Sequence, residues 1–231
     1  MRTIGMLGGM SWESSIEYYR LVNEEVRDRL GGLHSAPCVL HSVDFAPIEE
    51  LQRAGDWDAA GARLAEHARQ LERGGADLLV LCTNTMHKVA DAVAGAVGIP
   101  FVHIADATAL RLREAGVQRV GLLATRYTME QDFYRGRLQE RHGLEVLVPG
   151  EDDRGEVHRV IYEELCLGRV EPPSHARYVA VMEDLVARGA EAIVLGCTEI
   201  GLLVGDGDAS VPLFDTTRLH VAAAVDAALA P

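Results

Sequence analysis

Lysine is almost missing from this chain: of 22 basic residues, only Lys88 is a lysine. A pyridoxal phosphate enzyme holds its cofactor as a lysine Schiff base, so that chemistry would depend on Lys88 alone, in the helix-like stretch HKVADAVAGAV. Basic runs are also missing, and the formal net charge is -13. With no basic stripe to neutralise phosphates, nucleic acid is excluded as a partner, and an anionic membrane surface is disfavoured. The four cysteines, Cys38, Cys82, Cys166 and Cys197, show no CxxC spacing, which removes a zinc knuckle and a disulfide framework and leaves thiols. Neither the GxGxxG spacing nor a Walker lysine is present for a nucleotide. No apolar run has the length of a membrane span, and Met1 leads into a strand-like TIGMLGG without signal-peptide features. A cytoplasmic protein is expected.

What the sequence does hold is alternation. Short β-branched or leucine-rich runs exchange with longer helical patterns, which predicts an α/β fold of mostly parallel sheets. Strands are expected near 3–7, 38–45, 77–83, 101–104, 119–124, 144–148, 191–197 and 211–214. The clearest helices fall at 12–30, 58–73, 85–97, 105–115, 128–142, 154–167 and 175–188. The run GADLLVLCTNT from Gly75 is answered 114 positions later by GAEAIVLGCTE from Gly189. The repeat predicts two similar α/β lobes: residues 1–103 with about 211–231, and residues 104–210. Ligands bind beyond the carboxyl ends of parallel strands. Here those ends carry GGMSWES, TNTMH, ATRYTME and CTEIG, which would surround an inter-lobe cleft.

Within the repeat, Cys82 pairs with Gly196 and Thr83 with Cys197. LGGMSWES reads as a tight turn capped by Ser11, whose N–H groups suit a small carboxylate. Cys38 and Cys166 read as packing residues. Cys197 stands at a strand end before a helix start, where exposed N–H groups are expected to lower its pKa. His87 and His103 are candidate partners for a nucleophile, without an aspartate to complete a triad.

The runs CTNTMH and VLGCTEIGLL resemble the two signatures of the aspartate/glutamate racemase family. IGMLGGMSWES, HSVDF, HIADAT, TRYTMEQDFYRGRL, EELCLG and FDTT extend the resemblance over nearly the whole chain, closest to the L-aspartate/glutamate-specific subgroup. The resemblance implies a cofactor-independent, metal-free homodimeric isomerase of two pseudo-symmetric lobes, with an acidic amino acid as substrate. Usually one cysteine from each lobe flanks Cα. The family's first signature commonly reads Cys-Asn-Thr, whereas this chain has Cys82-Thr83-Asn84-Thr85. Aligning Asn84-Thr85 puts Thr83 at the catalytic position opposite Cys197, as the repeat does. Since strand side chains alternate, Cys82 then faces the core, unless a local bulge turns it inward.

Asn84, Thr85 and Thr198, with turn N–H groups around Met10 and Ser11, are candidates for the substrate's α-carboxylate. By resemblance, Gln52 is the candidate for its side-chain carboxylate. Two other functions fit the same residues: a decarboxylase or isomerase of small diacids, for which one cysteine suffices, and a homologue that only binds amino acids.

Overall fold

The computed structural model describes residues 1–230. They form two compact units: residues 1–104 with 220–230, and residues 105–219.

In the first unit a parallel sheet runs in the order β2-β1-β3-β4, built from β1 (Ile4–Gly8), β2 (Cys38–Ser42), β3 (Leu78–Leu81) and β4 (Phe101–Val102). β1 and β3 are buried at every position because helices cover both faces, hence their unbroken apolar runs. On one face α1 (Trp12–Leu30) and α11 (Thr216–Leu229) pack Tyr18, Val22, Val221 and Val225 against Ile4, Met6, Leu78 and Val80. On the other, α2 (Ala46–Ala54), α3 (Trp57–Arg73) and α4 (Ala90–Ala94) supply Ile48, Leu64 and Val93 against Leu7, Leu79 and Leu81. The turn leaving β1 needs glycine at position 9: φ is +91°, and a Cβ there would lie 2.2 Å from the Val43 carbonyl oxygen.

The second unit repeats the strand order as β6-β5-β7-β8, again all parallel: β5 (Arg119–Ala124), β6 (Glu145–Leu147), β7 (Ala192–Gly196) and β8 (Leu213–Asp215). Its helices are α5 (Ile104–Glu114), α6 (Arg126–Glu130), α7 (Asp132–His142), α8 (Glu151–Glu163), α9 (Pro172–Ala187) and the four-residue α10 (Ile200–Leu203). Every expected strand is present.

Four expectations change. The stretch 154–167 is helix only to Glu163, with a 3-10 turn at Leu165–Leu167 after it. The stretch 128–142 is two helices, because Gln131 is extended (φ -103°, ψ 153°) between α6 and α7. The stretch 85–97 is a 3-10 turn, Thr85–Val89, followed by the short α4. The tail returns to the first unit at His220 and not near Val211, because β8 pairs with β7. No helix among the described residues is long and apolar enough to cross a membrane.

His220, the residue at which the chain re-enters the first unit, is fully buried. Its Nε2 lies 2.8 Å from the Val102 carbonyl oxygen, which can only accept, so Nε2 carries the proton. Nδ1 then accepts from the Tyr18 hydroxyl at 2.8 Å. Burial lowers the His220 pKa from 6.5 to about 4. Between those values the unfolded chain binds a proton that the folded one refuses. Stability from this group is therefore full above pH 6.5, declines as pH falls and levels off near pH 4, a loss of about 3 kcal/mol. Denaturant unfolding from pH 7 to 4 should show a shallower decline in His220→Gln, which starts less stable but has no proton to take up.

Candidate active site

At the carboxyl end of β1, Ser11 caps α1, its Oγ accepting from the Ser14 amide at 3.3 Å. Ser15 Oγ accepts the Gly9 amide at 2.7 Å and donates to the Ser11 carbonyl at 3.0 Å. The turn is thus held largely by its own helix, with the Met10 side chain buried in the core against Leu7 and Ile48.

The end of β3 answers the register question. The β1–β3 pairing runs without interruption from Ile4↔Leu78 to Leu7↔Leu81, and the Cys82 amide continues it to the Leu7 carbonyl at 2.9 Å. No bulge intervenes, so alternation holds, and Cys82 packs with Leu78 and Val80 on the face covered by α1 and α11. Its thiol is fully buried, and desolvation pushes its pKa far above the usual range. It is a core side chain, protonated at any working pH. Gly196 holds the equivalent place in the second unit, where a Cβ would come within 2.8 Å of Leu122 Cδ1. The cysteine falls out of register because one copy packs a thiol at this position and the other has a glycine, where a Cβ would crowd Leu122.

Thr83, Asn84 and Thr85 follow as three consecutive buried polar residues at the tip. His87 fixes the backbone there. Its Nδ1 lies 2.7 Å from the Thr83 carbonyl oxygen, so it donates, and Nε2 accepts the Ile104 amide at 3.2 Å. With both nitrogens on backbone groups, His87 organises the Thr83 main chain and is not a base for a thiol, the structural role being the commoner one for a lone histidine in such a place. His103 meets its ring edge-on, ring centroids 4.6 Å apart. Gln52, buried on α2, donates from Nε2 to Met86 Sδ at 2.9 Å, which fastens α2 to the 3-10 turn after β3.

In the second unit, Cys197 follows β7, and the register Ala124↔Gly196 brings Thr125 of the β5 end beside it. The Cys197 thiol donates to Glu199 Oε2 at 3.0 Å, and the Thr198 hydroxyl to the same oxygen at 2.6 Å. Cys166, on a 3-10 turn 33 residues earlier, donates to Oε1 at 3.7 Å. The sequence reading gave Glu199 no part, and set Cys166 aside as packing. The available signal was an acid directly after Cys-Thr at a strand end.

The expected lowering of the Cys197 pKa is reversed. Burial raises it well above the ordinary thiol value, and the neighbouring Glu199 charge and Cys166 raise it further. The following helix, α10, is only four residues long, so few aligned peptide dipoles stand against that desolvation. Among the described residues, no group of three or more His, Cys, Asp or Glu side chains is placed to hold a metal ion.

The geometry can be set beside known proteins. The profile of the Asp/Glu/hydantoin racemase family matches residues 7–224. A solved candidate Asp/Glu racemase of Yersinia pestis is 55% identical, with a TM-score of 0.92 and full coverage of both chains. An aspartate racemase homologue of Pyrococcus horikoshii is 34% identical, TM-score 0.85, over 99% of each chain. The broad specificity amino-acid racemase RacX of Bacillus subtilis is 20% identical over 98% of each chain.

Proposed function

This chain belongs to the Asp/Glu/hydantoin racemase family, and from that premise we propose that it interconverts L- and D-glutamate, aspartate or both, without a cofactor. The observation that carries the reading is the pairing of a strand-end thiol in one repeat, Cys197 beside Glu199, with a strand-end hydroxyl, Thr83, at the equivalent position of the other.

Inverting Cα requires a base on one face and a proton donor on the other, both in place before the carbanion forms. Cys197 thiolate takes the Cα proton of the L-enantiomer. Thr83, directly or through water, returns a proton from the opposite face. Asn84, Thr85 and Thr198, with turn N–H groups at Met10 and Ser11, hold the α-carboxylate and stabilise the charge that develops on it. The Gln52 amide addresses the side-chain carboxylate. Action in the cytoplasm as a homodimer belongs to the same reading, on the strength of the family resemblance.

The test is incubation with each amino acid after exhaustive dialysis against chelator, followed by chiral chromatography. The expected result is the opposite enantiomer at undiminished rate. Loss of a carboxylate would instead make the protein a decarboxylase, for which a single reacting thiol suffices. No change with any acidic amino acid would make it a binding protein. Recovery only on adding metal would remove the claim of metal independence.

A further inference from the structure

Glu199 is almost wholly enclosed, and a carboxyl group so placed requires hydrogen-bond donors. Those it meets are chemically unequal. The Thr198 hydroxyl is a permanent donor, since it does not ionise in the working pH range. The Cys166 thiol approaches the far oxygen loosely, at 3.7 Å. The Cys197 thiol lies 3.0 Å from Oε2 and is the one of these donors whose anion the reaction requires. Resting on the reading of Cys197 as the reacting thiol, we propose that Glu199 is a positioning residue that shares one proton with Cys197, so that thiol with carboxylate and thiolate with carboxylic acid exchange across a single hydrogen bond.

Two acids in contact and out of water do not both ionise, so the pair keeps one proton over a wide pH interval and titrates as a unit. Tyr162 of α8 and Tyr178 of α9 are held protonated by burial, and Tyr178 donates to the Val157 carbonyl at 2.9 Å. Cys166 brings a further thiol to Glu199 Oε1.

The S–H bond of Cys197 breaks as an O–H bond forms on Glu199. The thiolate then takes the Cα proton, leaving the electron pair on Cα, and the pair, now holding two protons, releases one to water. A thiol whose own burial opposes ionisation thereby keeps a fixed fraction of thiolate at neutral pH. Within the interval where the pair holds one proton, that fraction does not depend on pH.

The experiment measures the rate at which iodoacetamide alkylates Cys197, resolved by peptide mass spectrometry, from pH 6 to 9 in the native chain and in Glu199→Gln. Only thiolate displaces iodide, so the rate reports its population. The native rate should change by less than about twofold over this range, whereas in Glu199→Gln it should rise about tenfold per pH unit. In Glu199→Gln, kcat for glutamate should fall about 100-fold at pH 6 and recover as pH rises, with KM within about threefold. A native rate rising tenfold per unit, a flat rate in Glu199→Gln, or no labelling of Cys197 in the native chain overturns the proposal. Should Glu199→Gln fail to fold, the native profile alone decides. A native chain that labels with the flat profile but racemises no acidic amino acid sinks the proposed function and leaves the shared proton standing.

Discussion

Cys197→Ser is expected to lower kcat/KM for glutamate and aspartate racemisation by about 10³-fold, while Cys82→Ser leaves it within about twofold. A serine hydroxyl offers no anion near neutral pH, and Glu199, which meets the Cys197 thiol at 3.0 Å, is far too weak a base to make one. The Cys82 change works on another quantity. It places a hydroxyl among Ile4, Met6, Leu78 and Val80, so the cost falls on stability, about 1–3 kcal/mol by denaturant unfolding. Steady-state kinetics and unfolding curves on both variants separate the two effects. Retained turnover in Cys197→Ser, or lost turnover in a folded Cys82→Ser, would place the chemistry on the other thiol.

The second large effect follows from the inequality of Thr83 and Cys197. A threonine hydroxyl hands over a proton poorly and removes one worse. In D2O, Cα of L-glutamate should therefore exchange for deuterium faster than D-glutamate accumulates, because the thiol formed on Cys197 swaps its proton and returns it to the same face. From the D-enantiomer, the rate at saturation should be lower by about tenfold. Enantiomers have equal free energy, so kcat/KM must be the same in both directions and the difference must appear in kcat and KM separately. Thr83→Cys supplies a second thiol and should raise D-side kcat by about tenfold. Proton NMR of Cα exchange from each enantiomer checks this. Equal exchange from both sides in the native chain, with no gain from Thr83→Cys, would refute the assignment.

How far the sequence speaks for itself can be judged at these residues. The Cys82/Thr83 register was legible because it follows from two local rules, strand alternation and the repeat, and nothing distant disturbs β3 between its neighbours. The central strands β1, β3, β5 and β7 were legible locally too, as apolar runs that stand out from the helices around them. The nine-residue helix α2 was passed over: short, with Pro47 near its start, it looks like loop until Ile48 and Gln52 are seen to be buried. Gln131 gives no local warning of the extended conformation that divides α6 from α7.

At the candidate site, the residue types were readable and their electrostatics were not. Whether Glu199 is a solvated surface acid or an enclosed partner of two thiols depends on Cys166, 33 positions away, and on the tyrosines of α8 and α9. The direction of the Cys197 pKa shift turned on that burial. A strand end before a helix suggests a lowered value only while the site is imagined as open to water.

The return of residues 220–230 to the first unit bears on biosynthesis. Val221, Ala224, Val225 and Ala228 complete the core that Ile4, Met6 and Tyr18 begin, with Arg29 meeting Asp226 at the rim. A ribosome makes the opening strands first, yet must add the whole contiguous unit 105–219 before the covering helix emerges. At usual elongation rates that interval is on the order of ten seconds. Throughout it, one face of β1 and β3, with Ile4, Met6, Leu78 and Val80, has only α1 over it and lacks the α11 half of its cover, whereas the second unit needs nothing made after its own last strand and the start of α11. The first unit, although begun first, is therefore completed no earlier than the second, unlike the usual order of domain folding on the ribosome. The early part of the chain is the segment that a nascent-chain chaperone would have most reason to hold.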